Sequence, residues 1–433
     1  MKLILLLFFT FLLTASAAKP NVIIIFTDDQ GTLDINAFGA KDLATPAMDQ
    51  LVREGIKWTQ FYTAAPVCSP SRAALLTGLS PQAAGVPGNV GLTAEGMPSN
   101  RITIAEQLKG AGYKTALIGK WHLGHREDTV PNAQGFDYQF GHLVGCIDNY
   151  SHFFYWSGPN KHDLYRNNKE IHMPGKFFPD LMADEAAKFI KENKKDPFFI
   201  YFAMNSPHYP YQGEAKWLEY YKDLPQKRRY YAAFLSTQDE RIGRLLKTVE
   251  DEGLKEKTII IFQSDHGHST EQRAFYGGGY TGPYRGAKFS LLEGGIRVPA
   301  IISWPGNIKP GVRDQFAVST DWFPTILDLC GVTQPAHELT GKSLKALIDS
   351  DSAKTPHKYY NWQMAGQKVV REGEWKLCMD VVDTSGEKRI TEKGVRLYNL
   401  AEDPSEKNNL AKEKADLVER LQKYHHDWVE SWK

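Results

Sequence analysis

Short apolar runs that alternate with helical segments constrain the fold of this chain most. The runs are NVIIIFTDDQG, YKTALIG, DPFFIYFAMNSPH, KTIIIFQSDHG and RVPAIISWPG, which begin at Asn21, Tyr113, Asp196, Lys257 and Arg297. Continuous apolar runs are typical of strands that are buried on both faces of a parallel sheet. The sequence therefore predicts an α/β fold: a large, mainly parallel mixed sheet sandwiched by helices.

Helix start and stop signals lie between these runs. In TPAMDQLVREG, Thr45 is a candidate N-cap, Pro46 fits the first turn and Gly55 ends the helix. In TIAEQLKGAG, Thr103 and Glu106 have the spacing of a capping box. These signals predict helices that connect neighbouring strands.

The pattern changes near residue 336. Shorter and more polar strands are predicted in KVVREGEWKLCMD and GVRLYNL. An amphipathic helix follows, with one apolar face made by Leu417, Leu421, Tyr424 and Trp428. We therefore predict a main domain over 19–335 and a small α+β C-terminal subdomain over 336–433.

The N-terminus has the features of a secretory signal peptide. Lys2 precedes an apolar run from Leu3 to Leu13, and small residues follow at positions 15–17. The run is short for a membrane span, and no second run of this kind follows. We predict a signal peptide over 1–18, export to the periplasm or the extracellular space, and no integral membrane segment. A membrane anchor is the alternative.

Charge and cysteine content exclude several classes of protein. The chain of 433 residues has 52 Lys and Arg against 51 Asp and Glu, so broad electrostatic binding of nucleic acid is not expected. It has four cysteines and no CxxC pair, which argues against a disulfide framework; they are Cys68, Cys146, Cys330 and Cys378.

One of these cysteines lies in the stretch PVCSPSRAALLTG. Ser69 is a candidate N-cap, Pro70 fits the first helical position and Gly78 fits the C-terminal stop. Cys68 then lies just before a helix N-terminus, with Arg72 one turn along, an arrangement that suits an anion. The alternative is that Cys68 is an ordinary buried core residue.

Acidic residues follow two of the predicted strands. Asp28 and Asp29 end the first run, and Asp265 with His266 ends the fourth. The carboxyl ends of parallel strands meet at one edge of a sheet, so these side chains are expected to converge. Carboxylate oxygens favour a divalent cation such as Ca²⁺ or Mg²⁺. The alternative is that each Asp caps a turn.

Basic residues occupy similar positions. Lys120 and His122 lie in GKWHLG, His208 in NSPHYP, and Lys288 in GPYRGAKFSLLEGGIRVP. Taken singly, each is more often a surface or core residue. Together with a divalent cation and a helix N-terminus, they would bind a dianion or a monoester oxyanion.

Several motifs together resemble a known family. CSPSRAALLTG resembles the sulfatase signature C-x-P-x-R followed by T-G, and GKWHLG resembles the second sulfatase signature. The segments TDDQG, SPHYP, SDHG, RGAKFSLLEGGIRVP and LYNLAEDPSEKNNLA follow in the family order. Nearly the whole chain thus resembles a type I sulfatase of the alkaline-phosphatase-like superfamily, which implies sulfuric ester hydrolysis.

The resemblance also implies a cofactor set. Cys68 would be converted to formylglycine, whose hydrated form is the nucleophile, by a formylglycine-generating enzyme or an anaerobic sulfatase-maturating enzyme. One calcium ion would be held by Asp28, Asp29, the modified Cys68, Asp265 and His266. Many members have Asn where this chain has His266, which is a departure from the family pattern.

The remaining roles are also carried over from the family. Arg72 would steady the formylglycine, and His122 would lie beside it. Lys120 and Lys288 would bind sulfate, whereas His208 would protonate the leaving oxygen.

We expect the substrate to be a sulfated oligo- or polysaccharide. Aromatic residues are frequent in four segments predicted to be loops near the site: CIDNYSHFFYW, PHYPYQ, HSTEQRAFYGGG and YYNWQ. Aromatic faces stack on sugar rings. Four polar residues are candidates for binding hydroxyls and neighbouring sulfates: Asp148, His152, Glu271 and Arg273.

Two other functions remain open at this point. One is a phosphate or phosphonate ester hydrolase of the same superfamily, which paired rates on aryl sulfate and aryl phosphate would distinguish. The other is a non-catalytic carbohydrate-binding relative, which has no reason to retain every predicted catalytic residue.

Overall fold

The computed structural model describes residues 19–156 and 160–431. The predicted signal peptide over 1–18 lies outside the described residues and stays a prediction. Within the described ranges, no helix combines the length and the apolar character needed to cross a membrane.

The main sheet has 10 strands. In spatial order they are β13 (Gly311–Arg313), β2 (Gly55–Trp58), β12 (Ala300–Ser303), β11 (Thr258–Ser264), β1 (Asn21–Thr27), β10 (Phe198–Ala203), β4 (Lys114–Lys120), β5 (Tyr138–His142), β8 (Tyr165–Arg166) and β9 (Lys169–Glu170). Strands β11, β1, β10, β4 and β5 are parallel, whereas β12 is antiparallel to both of its neighbours. The prediction of a mainly parallel mixed sheet is confirmed.

Helices cover both faces of this sheet. On one face, Val22, Ile24 and Phe26 of β1 belong to the core that also includes α2 (Cys68–Thr77), α3 (Ile104–Gly110), α8 (Trp322–Cys330) and α9 (Lys345–Asp349). On the other, Ile23 and Ile25 belong to the core with α1 (Pro46–Glu54), α4 (Phe178–Asn193), α5 (Ala215–Tyr220) and α6 (Gln226–Asp251). Burial of alternate residues on opposite faces explains why β1 is continuously apolar.

The predicted helix ends are mostly confirmed. Thr103 and Glu106 form the complete capping box of α3. Pro46 begins α1, but the Thr45 hydroxyl accepts the N–H of Asn36 and makes no cap bond to its own helix. Gly55 ends α1 and begins β2 in the same step.

The C-terminal part has a separate antiparallel sheet. Its strands are β15 (Tyr360–Met364), β16 (Gln367–Glu372), β17 (Trp375–Asp383) and β18 (Ile390–Asn399), and α10 (Ala415–Glu430) packs against it. The predicted helix face is confirmed at Leu421, which is buried. The α+β character is confirmed, whereas the boundary between 335 and 336 stays a prediction.

The remaining elements are short. They are the strands β3 (Phe61–Tyr62), β6 (Phe153–Phe154), β7 (Lys161–His162) and β14 (Ala317–Val318), the helix α7 (Glu293–Ile296), and 3₁₀ turns at Asn36–Phe38, Pro131–Ala133, Lys255–Lys257, Gln272–Ala274 and Ser319–Asp321.

Candidate active site

The predicted site residues converge where the parallel strands end. Asp28 and Asp29 follow β1, Lys120 is the last residue of β4, and Asp265 follows β11. Two backbone bonds fix these ends: the N–H of Asp28 donates to Ser206 at 3.0 Å, and that of Asp265 donates to Thr27 at 3.0 Å. Residues far apart in sequence therefore lie at one edge of the sheet.

Helix α2 places Cys68 in this cluster. Cys68 is the first residue of the helix, Val67 is the extended N-cap, and Gly78 ends the helix with φ 68°. The predicted N-cap Ser69 is wrong, because its N–H donates to Asn89 and its hydroxyl accepts the N–H of Val90. Asn89 thus supplies the acceptor that a capping side chain would provide.

Four side chains offer ligand atoms within 4.8 Å of one another: Asp28, Asp29, Cys68 and His266. The Cys68 Sγ lies 3.6 Å from Asp28 Oδ1 and 3.4 Å from His266 Nε2. His266 Nε2 is also 3.4 Å from Asp265 Oδ2. Its Nδ1 lies 2.9 Å from the Gly267 carbonyl, so a proton assigned to Nδ1 leaves the Nε2 lone pair facing the cluster.

The charges of this cluster fit a divalent cation. Burial raises the pKa of Asp29 to about 8 and the pKa of Asp265 to about 7. Burial also opposes the charge of Asp28, yet Lys120 and Arg72 hold its pKa well below the ordinary range. A bound cation would offset the effect of burial on Asp29 and Asp265, so these carboxyls would release their protons when it binds.

Three buried cations surround the carboxylates. Lys120 Nζ lies 2.7 Å from Asp28 Oδ2, and Lys288 Nζ lies 2.9 Å from Asp29 Oδ1. Arg72 Nη2 lies 3.4 Å from Asp28 and 3.2 Å from Asp265. Their neighbouring acids raise the pKa of both lysines against the effect of burial, so all three stay charged.

Two histidines lie beside Cys68 in neutral form. Burial and Lys120 hold the pKa of His122 well below its ordinary range, and its buried Nδ1 has no hydrogen-bond partner among the described residues. Burial and Lys288 do the same to His208, whose Nδ1 lies 2.6 Å from the Tyr209 carbonyl. A Cβ at Gly145 would lie 2.8 Å from the His122 ring, so this approach requires glycine.

A cavity of about 420 Å³ opens above Cys68. Its polar base includes Cys68, His122, His208 and Lys288. Its walls are largely apolar and include Leu92, Leu143, Val144, Phe154, Trp156 and Phe289. The site can therefore hold an oxyanion at its base and an uncharged, partly apolar group above it.

The four predicted substrate-binding residues have different positions. Glu271 lines the cavity, and Arg273 stacks on Trp156 of the wall with the guanidinium carbon 4.7 Å from the ring centroid. Asp148 and His152 are not among the residues that line the cavity. Asp148 caps its own turn through Ser151 and binds Gln212, while the His152 ring bonds to the backbone of Lys176.

Three of the four aromatic segments contribute to the cavity. Trp156 comes from the first, Tyr209 from the second and Glu271 from the third. The prediction for YYNWQ is wrong: it lies in β15, and Trp362 is buried against the main domain, donating to the Thr63 carbonyl at 2.9 Å. Paired aromatic residues give the same sequence signal in a loop and in a half-buried strand.

Sequence reasoning missed three parts of the cavity. The loop 89–93 lines it because Asn89 binds the start of α2. Phe289 lines it from a backbone with φ 72°, which is uncommon for an aromatic residue. Arg389, in the loop between β17 and β18, stacks on this wall residue, with its guanidinium carbon 4.5 Å from the Phe289 ring centroid. Only the position of Phe289 beside Lys288 gave a sequence signal.

Comparison with known proteins identifies the family. The family described as Sulfatase matches residues 20–332, and the one described as N-sulphoglucosamine sulphohydrolase, C-terminal, matches residues 287–430. Human arylsulfatase A is 32% identical over 440 residues, covering 92% of this chain and 84% of that protein. The N-acetylgalactosamine-6-O-sulfatase of Bacteroides thetaiotaomicron is 30% identical over 491 residues, covering 94% of this chain and 92% of that protein.

A solved structure gives the same result. The structure of Ps i-CgsB in complex with k-i-k-neocarrahexaose superposes with a TM-score of 0.84 at 28% identity, covering 95% of this chain and 92% of that one. The family implies a formylglycine-modified cysteine and a divalent metal. Cys68 is the cysteine in the matching position, and the side chains around it offer ligand atoms for a metal ion. The chain belongs to the sulfatase family, as a type I sulfatase of the alkaline-phosphatase-like superfamily that hydrolyses sulfuric esters.

Proposed function

We propose that this sulfatase is exported, binds calcium, carries formylglycine at position 68 and removes sulfate from a carbohydrate. The observation that carries the proposal is the position of Cys68. Its Sγ lies at the start of α2 and at the base of the cavity, 3.6 Å from Asp28 Oδ1 and 3.4 Å from His266 Nε2.

Calcium fits the donor set better than a softer metal does. The residues that would hold it are Asp28, Asp29, the modified Cys68, Asp265 and His266, and three of these five offer carboxylate oxygens. When bound, the cation would supply positive charge that stabilises the sulfate oxygens in the transition state. It would also offset the crowding of three buried carboxylates.

The charged side chains around Cys68 would position the sulfate ester. A formylglycine at this position would supply a hydroxyl nucleophile when hydrated. Lys120 and Lys288 both lower the pKa of the Cys68 thiol, which reaches about 6 despite burial, so both stabilise negative charge at this point. Arg72 is completely buried, and its two carboxylate contacts keep its guanidinium beside the same residue.

The two histidines would move protons. His208 lines the cavity, where its Nε2 can donate to the leaving oxygen. Its pKa is held low by burial and Lys288, so the negative charge of the bound sulfate has to raise it before it can act as an acid. His122 is neutral, and its Nδ1 has no hydrogen-bond partner over 19–156 and 160–431, as a base beside position 68 requires.

The cavity walls favour a sugar above the sulfate. Trp156 is 42% exposed, lines the cavity and stacks near Tyr209 with ring centroids 6.1 Å apart. An exposed indole beside Glu271, which can accept from hydroxyls, offers the apolar face and the polar edge that a sugar needs. Two of the similar proteins are named for carbohydrates that they act on or bind.

A substrate screen tests the carbohydrate assignment. The matured enzyme would be assayed on sulfated galactose, N-acetylgalactosamine and glucosamine oligosaccharides, with 4-nitrophenyl sulfate and 4-nitrophenyl phosphate as references. We expect at least one saccharide to have a higher kcat/KM than the aryl sulfate, and the phosphate to be the poorer aryl ester. The assignment is lost if no saccharide exceeds 4-nitrophenyl sulfate.

Mass spectrometry and metal analysis test the cofactors. We expect the peptide that contains position 68 to have the mass of formylglycine, and the purified protein to contain one calcium per chain. A fully active enzyme with an unmodified thiol, or full activity after exhaustive chelation, would refute the corresponding assignment. Analysis of the exported protein's N-terminus tests the signal peptide.

A further inference from the structure

Two arginines stack on aromatic rings of the cavity wall. Arg273 lies over Trp156, 4.7 Å from the ring centroid, and its Nη2 donates to the Trp156 carbonyl at 3.3 Å. Arg389 lies over Phe289, 4.5 Å from the ring centroid. Both rings line the cavity above Cys68. Two segments that are far apart in sequence therefore each place a guanidinium against a ring of the cavity wall.

The backbone of Phe289 is held in place for this arrangement. Its φ of 72° lies in the left-handed region, which costs free energy for a residue with a Cβ. Both of its backbone polar groups are bonded: the N–H donates to Pro66 at 2.8 Å, and the carbonyl accepts from Gln367 at 2.8 Å. The ring that supports Arg389 is thus fixed beside Lys288.

The stacked arginines differ from other arginines of the same region. Arg285 binds Glu392 at 2.9 Å, and Arg396 binds the same carboxylate at 3.1 Å. Within the described residues, Arg273 and Arg389 contact rings and one carbonyl but form no carboxylate ion pair. Stacking occupies the flat face of a guanidinium and leaves the N–H groups at its edge available for an oxyanion.

The carboxylate of the cavity does not neutralise them. Glu271 Oε2 accepts from the Tyr209 hydroxyl at 2.9 Å and from the Ser269 hydroxyl at 3.1 Å, and it lies 4.0 Å from Lys288 Nζ. Its hydrogen bonds and its ion pair thus go to Tyr209, Ser269 and Lys288. In the part of the chain that the structure describes, the charge of the two arginines has no carboxylate partner.

We propose that Arg273 and Arg389 bind a second oxyanion of the substrate, a sulfate or a carboxylate outside the ester that is cleaved. The inference rests on the proposed carbohydrate function and deepens it. The preferred substrate then bears at least two anionic groups: the base of the cavity takes the reacting one, and the arginines take the other. The second oxyanion would accept charge-assisted, in-plane hydrogen bonds from the edges of the two guanidinium groups.

Kinetics on matched saccharides test this site. The matured, calcium-loaded enzyme would be compared with its Arg389→Gln, Arg273→Gln and Arg389→Lys variants. The substrates are a monosulfated disaccharide, the same disaccharide with a second sulfate, the same disaccharide with a uronic carboxylate, and 4-nitrophenyl sulfate. Arg53→Gln removes an exposed positive charge at the far end of α1 and is the matched control.

We expect each Gln variant to lower kcat/KM on the preferred dianionic substrate by about fivefold, mainly through KM, as for a charged hydrogen bond near the surface. The Lys variant should retain part of the effect, and added salt should reduce it. The loss on 4-nitrophenyl sulfate, which has a single anionic group, should be smaller, and all rates of Arg53→Gln should stay unchanged. The disulfated and the uronic substrates identify which oxyanion is bound.

Inhibition of 4-nitrophenyl sulfate hydrolysis by the same saccharides measures binding even if none of them is cleaved. Failure of every saccharide to be cleaved then counts against the carbohydrate function and leaves the inhibition constants to decide on the arginines. Equal inhibition by monoanionic and dianionic saccharides, or equal inhibition of wild type and both Gln variants, would overturn the proposal.

Discussion

Two buried groups of charged residues in this protein differ in how their acceptors are satisfied. The strand-end cluster consists of Asp28, Asp29, Cys68, Asp265 and His266 with their cations, and the inter-sheet cluster consists of Tyr62, Glu293, Arg297, Lys376 and Glu406. In the inter-sheet cluster, each carboxylate oxygen has a fixed donor or cation. Lys376 bridges Glu293 and Glu406 at 2.9 and 2.8 Å, and the Tyr62 hydroxyl donates to Glu293 at 2.6 Å.

The strand-end cluster instead directs acceptors at one another. Ligand atoms of two carboxylates, a sulfur and an imidazole lie within 4.8 Å of one another. The pKa values do not separate the two clusters: the pKa of Glu293 is lowered to about 2 and that of Asp28 lies well below its ordinary range, whereas burial raises the pKa of Glu406 to about 7 and that of Asp29 to about 8. A closed network of donors and acceptors joins two sheets, whereas converging acceptors mark a place for a cation.

Replacing the nucleophile should have the largest effect and should separate the two clusters by function. We expect Cys68→Ala to lower kcat by about 10⁴-fold or more, because the reacting group is gone, with little change in the free energy of unfolding. Cys330→Ala, at another buried cysteine, is the control and should retain activity. Rates on 4-nitrophenyl sulfate and urea unfolding measure both effects. Residual turnover above one per cent would contradict the assignment.

Breaking the inter-sheet cluster should affect stability and leave chemistry intact. Lys376→Met leaves two buried carboxylates without their shared cation, which we expect to cost about 3–5 kcal/mol of unfolding free energy. Urea unfolding measures this, and KM of the remaining folded enzyme should be unchanged. Adding Glu406→Gln should recover part of the loss. A loss below about 1 kcal/mol would show that the cluster is not a closed network.

His208→Ala sharpens the chemistry within the strand-end cluster. We expect kcat/KM to fall by about 10²-fold or more on a sulfate ester of an unactivated alcohol, because that leaving group needs a proton. The loss on 4-nitrophenyl sulfate should be much smaller. Parallel rates on the two esters decide the role. Equal losses would assign His208 to binding.

Removing the metal ion by chelation should make the stability of the protein depend on the titration of the strand-end cluster. Asp29 and Asp265 have folded pKa values of about 8 and about 7, above their ordinary value of 3.8, so the metal-free folded state binds protons more tightly than the unfolded one. The stabilisation that these two carboxyls contribute to the metal-free protein is therefore fully present at low pH and is lost as pH rises through about 7 and about 8. Thermal melting from about pH 5 to pH 8 should show a widening gap between metal-free and metal-bound protein. A constant gap would contradict it.

The smallest effect is expected at His266, where many members of the family have Asn. We expect His266→Asn to retain activity within about tenfold, because an amide oxygen can still reach a calcium ion, and His266→Ala to lose more. Calcium titration of both variants with activity as the readout measures the difference. Equal loss in the two variants would show that the imidazole is needed for more than metal contact.

The residues of the strand-end cluster could be predicted from the sequence because a short stretch of sequence is enough to mark the end of a strand. An apolar run followed by Asp28 or Asp265 specifies both a strand and the edge at which the side chain lies. The cavity walls could not be predicted in the same way. Phe289 faces the cavity because of its positive φ, and Asp148 satisfies its own turn, which depends on backbone geometry that composition does not encode.

The antiparallel direction of β12 could not be predicted from the sequence either. The runs that form β11 and β12 are both apolar, but β12 pairs antiparallel with both neighbours because the long connection over 265–299, which includes Lys288 and α7, returns the chain along the sheet in the opposite direction. Likewise, YYNWQ carries the same aromatic signal as a cavity loop, and only its pairing with β16 places it in the second sheet.

The burial of α2 has a consequence for how active enzyme is produced. All ten of its residues are buried, and Cys68 is 2% exposed at the bottom of its cavity. An enzyme that converts Cys68 to formylglycine, as we propose, would need access to the C-x-P-x-R segment before α2 is buried. Conversion and folding would then compete in time, and a chain that folds first would keep its thiol. The specific activity of a preparation would report the fraction of chains that were converted before they folded.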